Sequence, residues 1–323
     1  MHDRRHCVSA DDVRAAAARI AGAVFLTPAF GSRALSDAAG RPAAVKCESM
    51  QRTGSFKIRG ASNAVRLLDA AAAAHGVVTH SSGNHALALA TAAANRGIPA
   101  HVVMPMNASP IKRAAVEAAG AAVHACGNTA AERAAACDEI ARRTGAFVVP
   151  PYDHPWTIAG QGTVGLEIAR QLPDAGTVVV PVGGGGLIGG IAVALREARP
   201  GMRIVGAEPE LAGDAAESFR SGRIAPQHPP ISIADGLRAP LGELTFPLLC
   251  DLVDDVVTVT EAQIVAAMRF AFEEMRLVIE PSAAVGIAAL LADRCGGDRA
   301  RPTAVVLCGG NVDLASLPWR THG

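Results

Sequence analysis

Five times along this chain a short run rich in Val, Ile and Ala leads into a polar or glycine-bearing turn, and a helical pattern then follows. The units are GVVTHSSGNHALALATAAA (76–94), AHVVMPMNASPIKRAAVEAAG (100–120), TVVVPVGGGGLIGGIAVALREA (177–198), RIVGAEPELAGDAAESF (203–219) and TAVVLCGGNVD (303–313). Short apolar runs alternating with amphipathic helices read as right-handed βα units on parallel sheets, an α/β fold. In open sheets of this kind the loops after the strand C-termini build the binding site. The glycines and polar residues fall at those ends, so five loops are expected to converge on one face or cleft.

A Pro-rich break from about residue 148, VVPPYDHPWTIAGQG, interrupts the alternation. It predicts two domains with a cleft between them: a small one over 70–149, and a large one made of 1–69 and 150–323. A chain of 323 residues with 50% hydrophobic content is long enough for both. The 30 basic and 30 acidic residues balance, leaving no net field to attract nucleic acid or an anionic membrane. A small-molecule partner is expected instead. The charged N-terminus enters a helical pattern without a signal-like apolar stretch, and no segment reaches membrane-span length, so a cytoplasmic protein is expected. The seven cysteines form an odd set without a CxxC pair, which fits a reducing compartment. No appended regulatory domain is expected after CGGNVD.

The loop Gly183-Gly184-Gly185-Gly186, between a buried strand and a helix starting near Leu187, admits two ligand readings. Bare amides at a helix N-terminus cradle phosphate. Gly184, Gly186 and Gly189 also spell G-x-G-x-x-G, with Glu208 at the end of the next strand, the arrangement of a dinucleotide site in a nicotinamide-dependent dehydrogenase. A simple tight turn is the bland alternative, and the loop alone does not decide.

Lysine chemistry has only three candidates, Lys46, Lys57 and Lys112. Lys57 follows the turn Thr53-Gly54-Ser55 and lies between Phe56 and Ile58 at the expected start of a helix. Desolvation and the positive helix end would both depress its pKa, which suits a Schiff-base amine; a surface lysine with a snorkelling stem is the ordinary alternative. Ser81-Ser82-Gly83-Asn84-His85 offers hydroxyl, amide and backbone donors at another helix start, suited to an amino-acid carboxylate, although a capping turn would look the same. Cys308 ends the last strand, where a small side chain could meet a heteroaromatic nitrogen; a buried structural cysteine is the common case.

TGSFKIRG, THSSGNHA, IAGQGT, PVGGGG, ADGL and CGGNVD occur in the order and spacing of the serine racemase and serine/threonine dehydratase family, and the chain resembles that family from Val8 to Leu314. The resemblance implies a fold type II pyridoxal 5′-phosphate enzyme with two open, twisted, mainly parallel sheet domains and the active site in the cleft between them. It implies that Lys57 carries the cofactor as a Schiff base. Phe56 would pack near the pyridine ring, Asn84 would meet the ring hydroxyl, Gly183 to Gly186 with Leu187 would cradle the phosphate, and Cys308 would face the pyridine nitrogen where the family usually has Ser. Ser81, Ser82, Asn84 and His85 would bind substrate. Glu208, Asp214 and the Ala212 carbonyl resemble a divalent-cation site for Mg²⁺, or Ca²⁺ or Mn²⁺; without the family, the two carboxylates would be ordinary loop charges. A homodimer is also implied.

The implied reaction starts with Lys57 taking the Cα proton of an amino acid, and elimination of a β-hydroxyl then yields a 2-oxo acid and ammonia. Serine would give pyruvate and threonine 2-oxobutanoate. Ser82 would face the other side of Cα, as in the racemase-like branch, and could return a proton there; a turn-forming hydroxyl is the bland reading. The chain departs from the racemase pattern at Leu87, where Gln is usual, and at Ala239. The expected order is therefore a serine/threonine ammonia-lyase first, then a serine racemase or 3-hydroxyaspartate dehydratase. A nicotinamide dehydrogenase and a catalytically inactive amino-acid-binding protein stand behind these.

Overall fold

A computed structural model describes residues 6–226 and 231–319; the opening residues 1–5, read above for a leader, lie outside that range. Among the described residues ten strands follow one another as β1 (Ala29–Gly31), β2 (Ala43–Cys47), β3 (Val77–His80), β4 (Ala100–Pro105), β5 (Ala122–Cys126), β6 (Phe147–Val148), β7 (Thr177–Pro181), β8 (Arg203–Pro209), β9 (Asp255–Val259) and β10 (Thr303–Leu307). They form two sheets, β1-β2-β10-β7-β8-β9 and β5-β4-β3-β6. Every pairing is parallel except β1 with β2. The α/β expectation of two open, mainly parallel sheets is borne out.

The central strands are buried along their whole length, as TVVVP in β7 and TAVVL in β10 require when helices cover both sheet faces. Strand order then decides where a ligand can sit. In the larger sheet the chain proceeds from β7 outward through β8 to β9, whereas β10 returns on the other side of β7. The order therefore reverses between β10 and β7, the position at which open parallel sheets bind ligands beyond their C-terminal ends. The CGGN and GGGG loops leave from those two strands. The smaller sheet repeats the device, since β4 and β5 extend one way from β3 and β6 returns on the other side. SSGN and the Pro150–Asp153 segment leave from there.

One close approach fixes the Lys57–Leu67 helix against the Pro155–Gln171 helix. A Cβ on Gly160 would lie 2.6 Å from Gly60 Cα, and a Cβ on Gly60 would lie 2.8 Å from Thr157 O. Only paired glycines let the backbones cross this closely.

Candidate active site

Lys57 is the first residue of its helix, half-buried, and its Nζ donates to Pro151 O at 2.8 Å. No carboxylate among the described residues pairs with it. Burial lowers its pKa to about 8, with weaker opposing pulls from Cys308 and Glu280. The Phe56 ring centroid lies 5.1 Å from Nζ. The turn before Lys57 is clamped to the loop after β10: Phe56 N donates to Cys308 O at 3.1 Å, Gly310 N donates to Gly54 O at 2.8 Å, and Asn311 Nδ2 donates to Thr53 O at 2.8 Å. Residues distant in sequence thus set the direction in which the amine points.

The glycine loop is shaped by what packs against it. A Cβ on Gly184 would lie 2.4 Å from the Tyr152 ring, and one on Gly183 would lie 2.9 Å from Leu237 Cα. Gly185 has φ +84°, the left-handed region, and caps the Gly186–Ala198 helix. Thr245 Oγ1 donates to Gly184 O at 2.7 Å, and Asp153 accepts from Leu244 N at 2.9 Å and Thr245 N at 3.2 Å. The Gly184 carbonyl is thereby occupied by Thr245, and the first amides of that helix have no intrahelical acceptor. Leu187 is buried in the large core just behind them.

Asn84 begins the Asn84–Arg96 helix. Its Nδ2 donates to Glu280 Oε1 and Oε2 at 2.9 and 3.0 Å, and its Oδ1 accepts from Asn311 Nδ2 at 2.9 Å. Those contacts determine which end of the amide is nitrogen. Glu280 is 4% exposed, and burial pushes its carboxyl up to about 7, against the bonds from Asn84. Cys308 is 2% exposed, and burial drives its thiol well above the ordinary range, so it stays protonated.

The SSGNH loop is not uniformly turned toward the cleft. Ser81 Oγ accepts from Gly83 N at 3.3 Å, and Ser82 is half-buried with no bond to its hydroxyl among the described residues. His85 points inward. Its Nε2 lies 3.0 Å from Val149 O, which can only accept, so Nε2 carries the proton. Burial lowers its pKa to about 3 and keeps the ring neutral. The imidazole is therefore no counter-charge for a carboxylate, and only the backbone N–H of His85 can face one.

Glu208, Ala212 and Asp214 gather at the end of β8. Glu208 is 1% exposed and accepts from Ala216 N at 2.6 Å and Ala215 N at 3.2 Å, capping the Asp214–Ser221 helix. Burial, with Asp214 adding to it, pushes its carboxyl up to about 8. Both Glu208 oxygens face helix amides, an arrangement that does not present the carboxylate to a ribose. Among the described residues no three His, Cys, Asp or Glu side chains come together as a metal cluster.

Glu280, Asn311, Pro151 and Tyr152 escaped the sequence reading. Pro151 and Tyr152 lie inside the Pro-rich break, and their only signal is position after a strand. Glu280 precedes a helix whose start it marks, as Pro281 stands at the first helical position.

A family model described as pyridoxal-phosphate dependent enzyme matches residues 20–309. A serine racemase of Rattus norvegicus is 43% identical over 98% of this chain and 96% of its own. A beta-hydroxyaspartate dehydratase of Paracoccus denitrificans is 42% identical over 96% of this chain and 98% of its own. A crystal structure of a T.th. threonine deaminase superposes with a TM-score of 0.89 at 40% identity, covering 94% of this chain and 99% of that one.

Proposed function

The chain belongs to the pyridoxal-phosphate dependent enzyme family, and from that premise we propose that it is an ammonia-lyase converting L-serine or L-threonine to a 2-oxo acid and ammonia. The observation that carries the reading is a desolvated Lys57 amine with no carboxylate partner among the described residues, beside an Asn84–Glu280 contact and a glycine loop that tolerates no side chain at Gly184. These residues fit the cofactor. Lys57 would hold it as a Schiff base, the Gly183–Gly186 amides with Leu187 its phosphate, and Phe56, Asn84 and Cys308 its ring. Pyridoxal phosphate, when bound, supplies an electron sink that acidifies the Cα proton of an amino acid.

The chain's own groups do the rest. Ser81, Ser82, Asn84 and the backbone N–H of His85 hold the substrate carboxylate at a helix N-terminus, where the dipole favours an anion. Lys57 Nζ, kept close to neutrality by its dry surroundings, takes the Cα proton. The protonated Cys308 thiol brings no charge to the ring nitrogen, which weakens the electron sink and favours loss of the β-hydroxyl over transamination. Glu208, Asp214 and the Ala212 carbonyl are the hard-oxygen groups near the end of β8 that would hold Mg²⁺, Ca²⁺ or Mn²⁺; Glu208, whose carboxyl is raised by burial with Asp214 adding to it, would have to release Ala215 N and Ala216 N to serve as a ligand. A large unit of 1–69 and 150–323, a small unit of 70–149, a homodimeric assembly and a cytoplasmic location complete the proposal. Sheet membership supports the division, since β3 to β6 form the second sheet.

Ser82 supports a second reading, serine racemase or 3-hydroxyaspartate dehydratase, because its hydroxyl has no described partner and can serve as a proton donor. Family membership sets aside the nicotinamide reading. The deciding experiment incubates the loaded enzyme with L- and D-serine, L-threonine and the hydroxyaspartates, measuring 2-oxo acid and the chirality of unreacted serine. The lyase proposal fails if no 2-oxo acid forms from serine or threonine. A visible cofactor band without any turnover would instead mark an inactive binder. Ser82→Ala is expected to abolish racemisation and spare elimination; retention of both would remove Ser82 from the chemistry. Activity unchanged by chelation and by added Mg²⁺ would remove the cation.

A further inference from the structure

A cavity of about 400 Å³ opens among the Ala10–Ile20, Lys57–Leu67 and Asn84–Arg96 helices, lined by Arg19, Arg66, Arg96, Asn95 and Ser62 with two alanines. None of these residues belongs to the site described above. Three guanidinium groups share the cavity with no acidic residue on its wall, and among the described residues none of the three forms an ion pair. Helix ends account for part of this. Arg66 donates to Arg19 O at 2.6 Å, and Arg96 donates to Val65 O and to Leu68 O, the latter at 2.6 Å, so each guanidinium meets carbonyls at a helix C-terminus. Arg19 donates to Asn63 Oδ1 at 2.6 Å. A guanidinium carries five N–H donors, so each keeps several free.

Ser62 is the independent observation. It is 2% exposed and lies on the cavity wall, and among the described residues its Oγ, itself buried, has no hydrogen-bond partner. A buried hydroxyl without a partner is costly, and of the buried unpartnered side chains Ser62 is the one on this cavity wall.

We propose that this cavity binds a small multivalent oxyanion bearing phosphate or carboxylate groups, with Arg19, Arg66 and Arg96 as counter-charges and Ser62 and Asn95 as neutral donors. The fork geometry of arginine matches either oxyanion. The occupant would tie together helices whose opposite ends carry Lys57 and Asn84, so it is placed to alter turnover from behind the site.

The test is calorimetric titration of the pyridoxal-phosphate-loaded full chain with inorganic phosphate and, separately, with tricarballylate, at ionic strength fixed with NaCl. Saturable binding of at least one probe is expected, and the tighter of the two identifies the phosphate or carboxylate source. Arg66→Gln is expected to weaken it about tenfold and Ser62→Ala several-fold, as loss of a charge-assisted and of a neutral hydrogen bond would, while Arg66→Lys keeps most of the affinity. Arg66 is exposed, so its variants should fold, and an unchanged cofactor band checks this. Absence of saturable binding by either probe, or binding undiminished in both Arg66→Gln and Ser62→Ala, overturns the proposal.

Discussion

Lys46 and Lys57 are both withdrawn from water, and the protein treats them in opposite ways. Lys46, on β2, is wholly buried and donates to Glu167 Oε2 at 2.5 Å, Gln171 Oε1 at 2.8 Å and Thr27 O at 2.8 Å. Arg59 completes the cluster by pairing with Glu48 and Glu167. Burial lowers the Lys46 pKa, and Glu167 and Glu48 pull it back. Among the described residues Lys57 meets only a carbonyl, and the nearby Glu280 is occupied by Asn84. A buried cation with matched carboxylates is structural; one denied a carboxylate is free to shed its proton.

The comparison breaks most visibly at Lys57 itself. Lys57→Ala should remove the cofactor's visible band and lower kcat by about 10⁴-fold, whereas Lys46→Met should keep the band wherever the protein folds. Stability should show the reverse pattern. Lys46→Met leaves Glu167 and Glu48 short of a cation inside the protein and is expected to cost about 3–5 kcal/mol in urea unfolding.

Lys57→Met should stabilise the cofactor-free protein at pH 7, by about 1–2 kcal/mol after allowance for water in the cleft. The folded pKa of about 8 lies below the ordinary 10.5, so the folded chain binds fewer protons between those values and wild-type stability rises with pH across that window. The advantage of the variant should therefore shrink from pH 8 to 10.5; an advantage independent of pH would show that charge is not its cause. The smallest effect is expected at Glu280, whose carboxyl titrates near 7. Glu280→Gln should erase an inflection near pH 7 in kcat/KM while changing its maximum only a few-fold, as the amide oxygen still accepts from Asn84.

Much of the site was legible because its parts are local. Four glycines between a buried strand and a helix, Ser-Ser-Gly-Asn-His after a strand, and a lysine at a helix start each mark themselves in a few residues. The β7 and β10 runs were equally plain, being almost continuously apolar. β1, β2, β5, β6 and β9 lie outside the five units and were missed. His85 shows the limit of local reading: SSGNH suggests a polar ring facing the substrate, yet packing sends it toward Val149. Tyr152 shows the same limit from the other side, since a ring shaping the glycine loop lay in a stretch that read only as a proline-rich break.

The sequence by itself determined the alternation of strand and helix, the place of Lys57 at a helix start and the glycine loop, because strand periodicity, helix starts and backbone freedom act over a few residues. Tertiary structure alone decided which lysine goes without a carboxylate, that Glu280 holds Asn84, and that Arg19, Arg66, Arg96 and Ser62 line one cavity. Those outcomes depend on which elements become neighbours, and strand order, which brings β10 beside β7 and crosses two helices at Gly60 and Gly160, sets the neighbours and hence the dielectric and hydrogen bonds around each group.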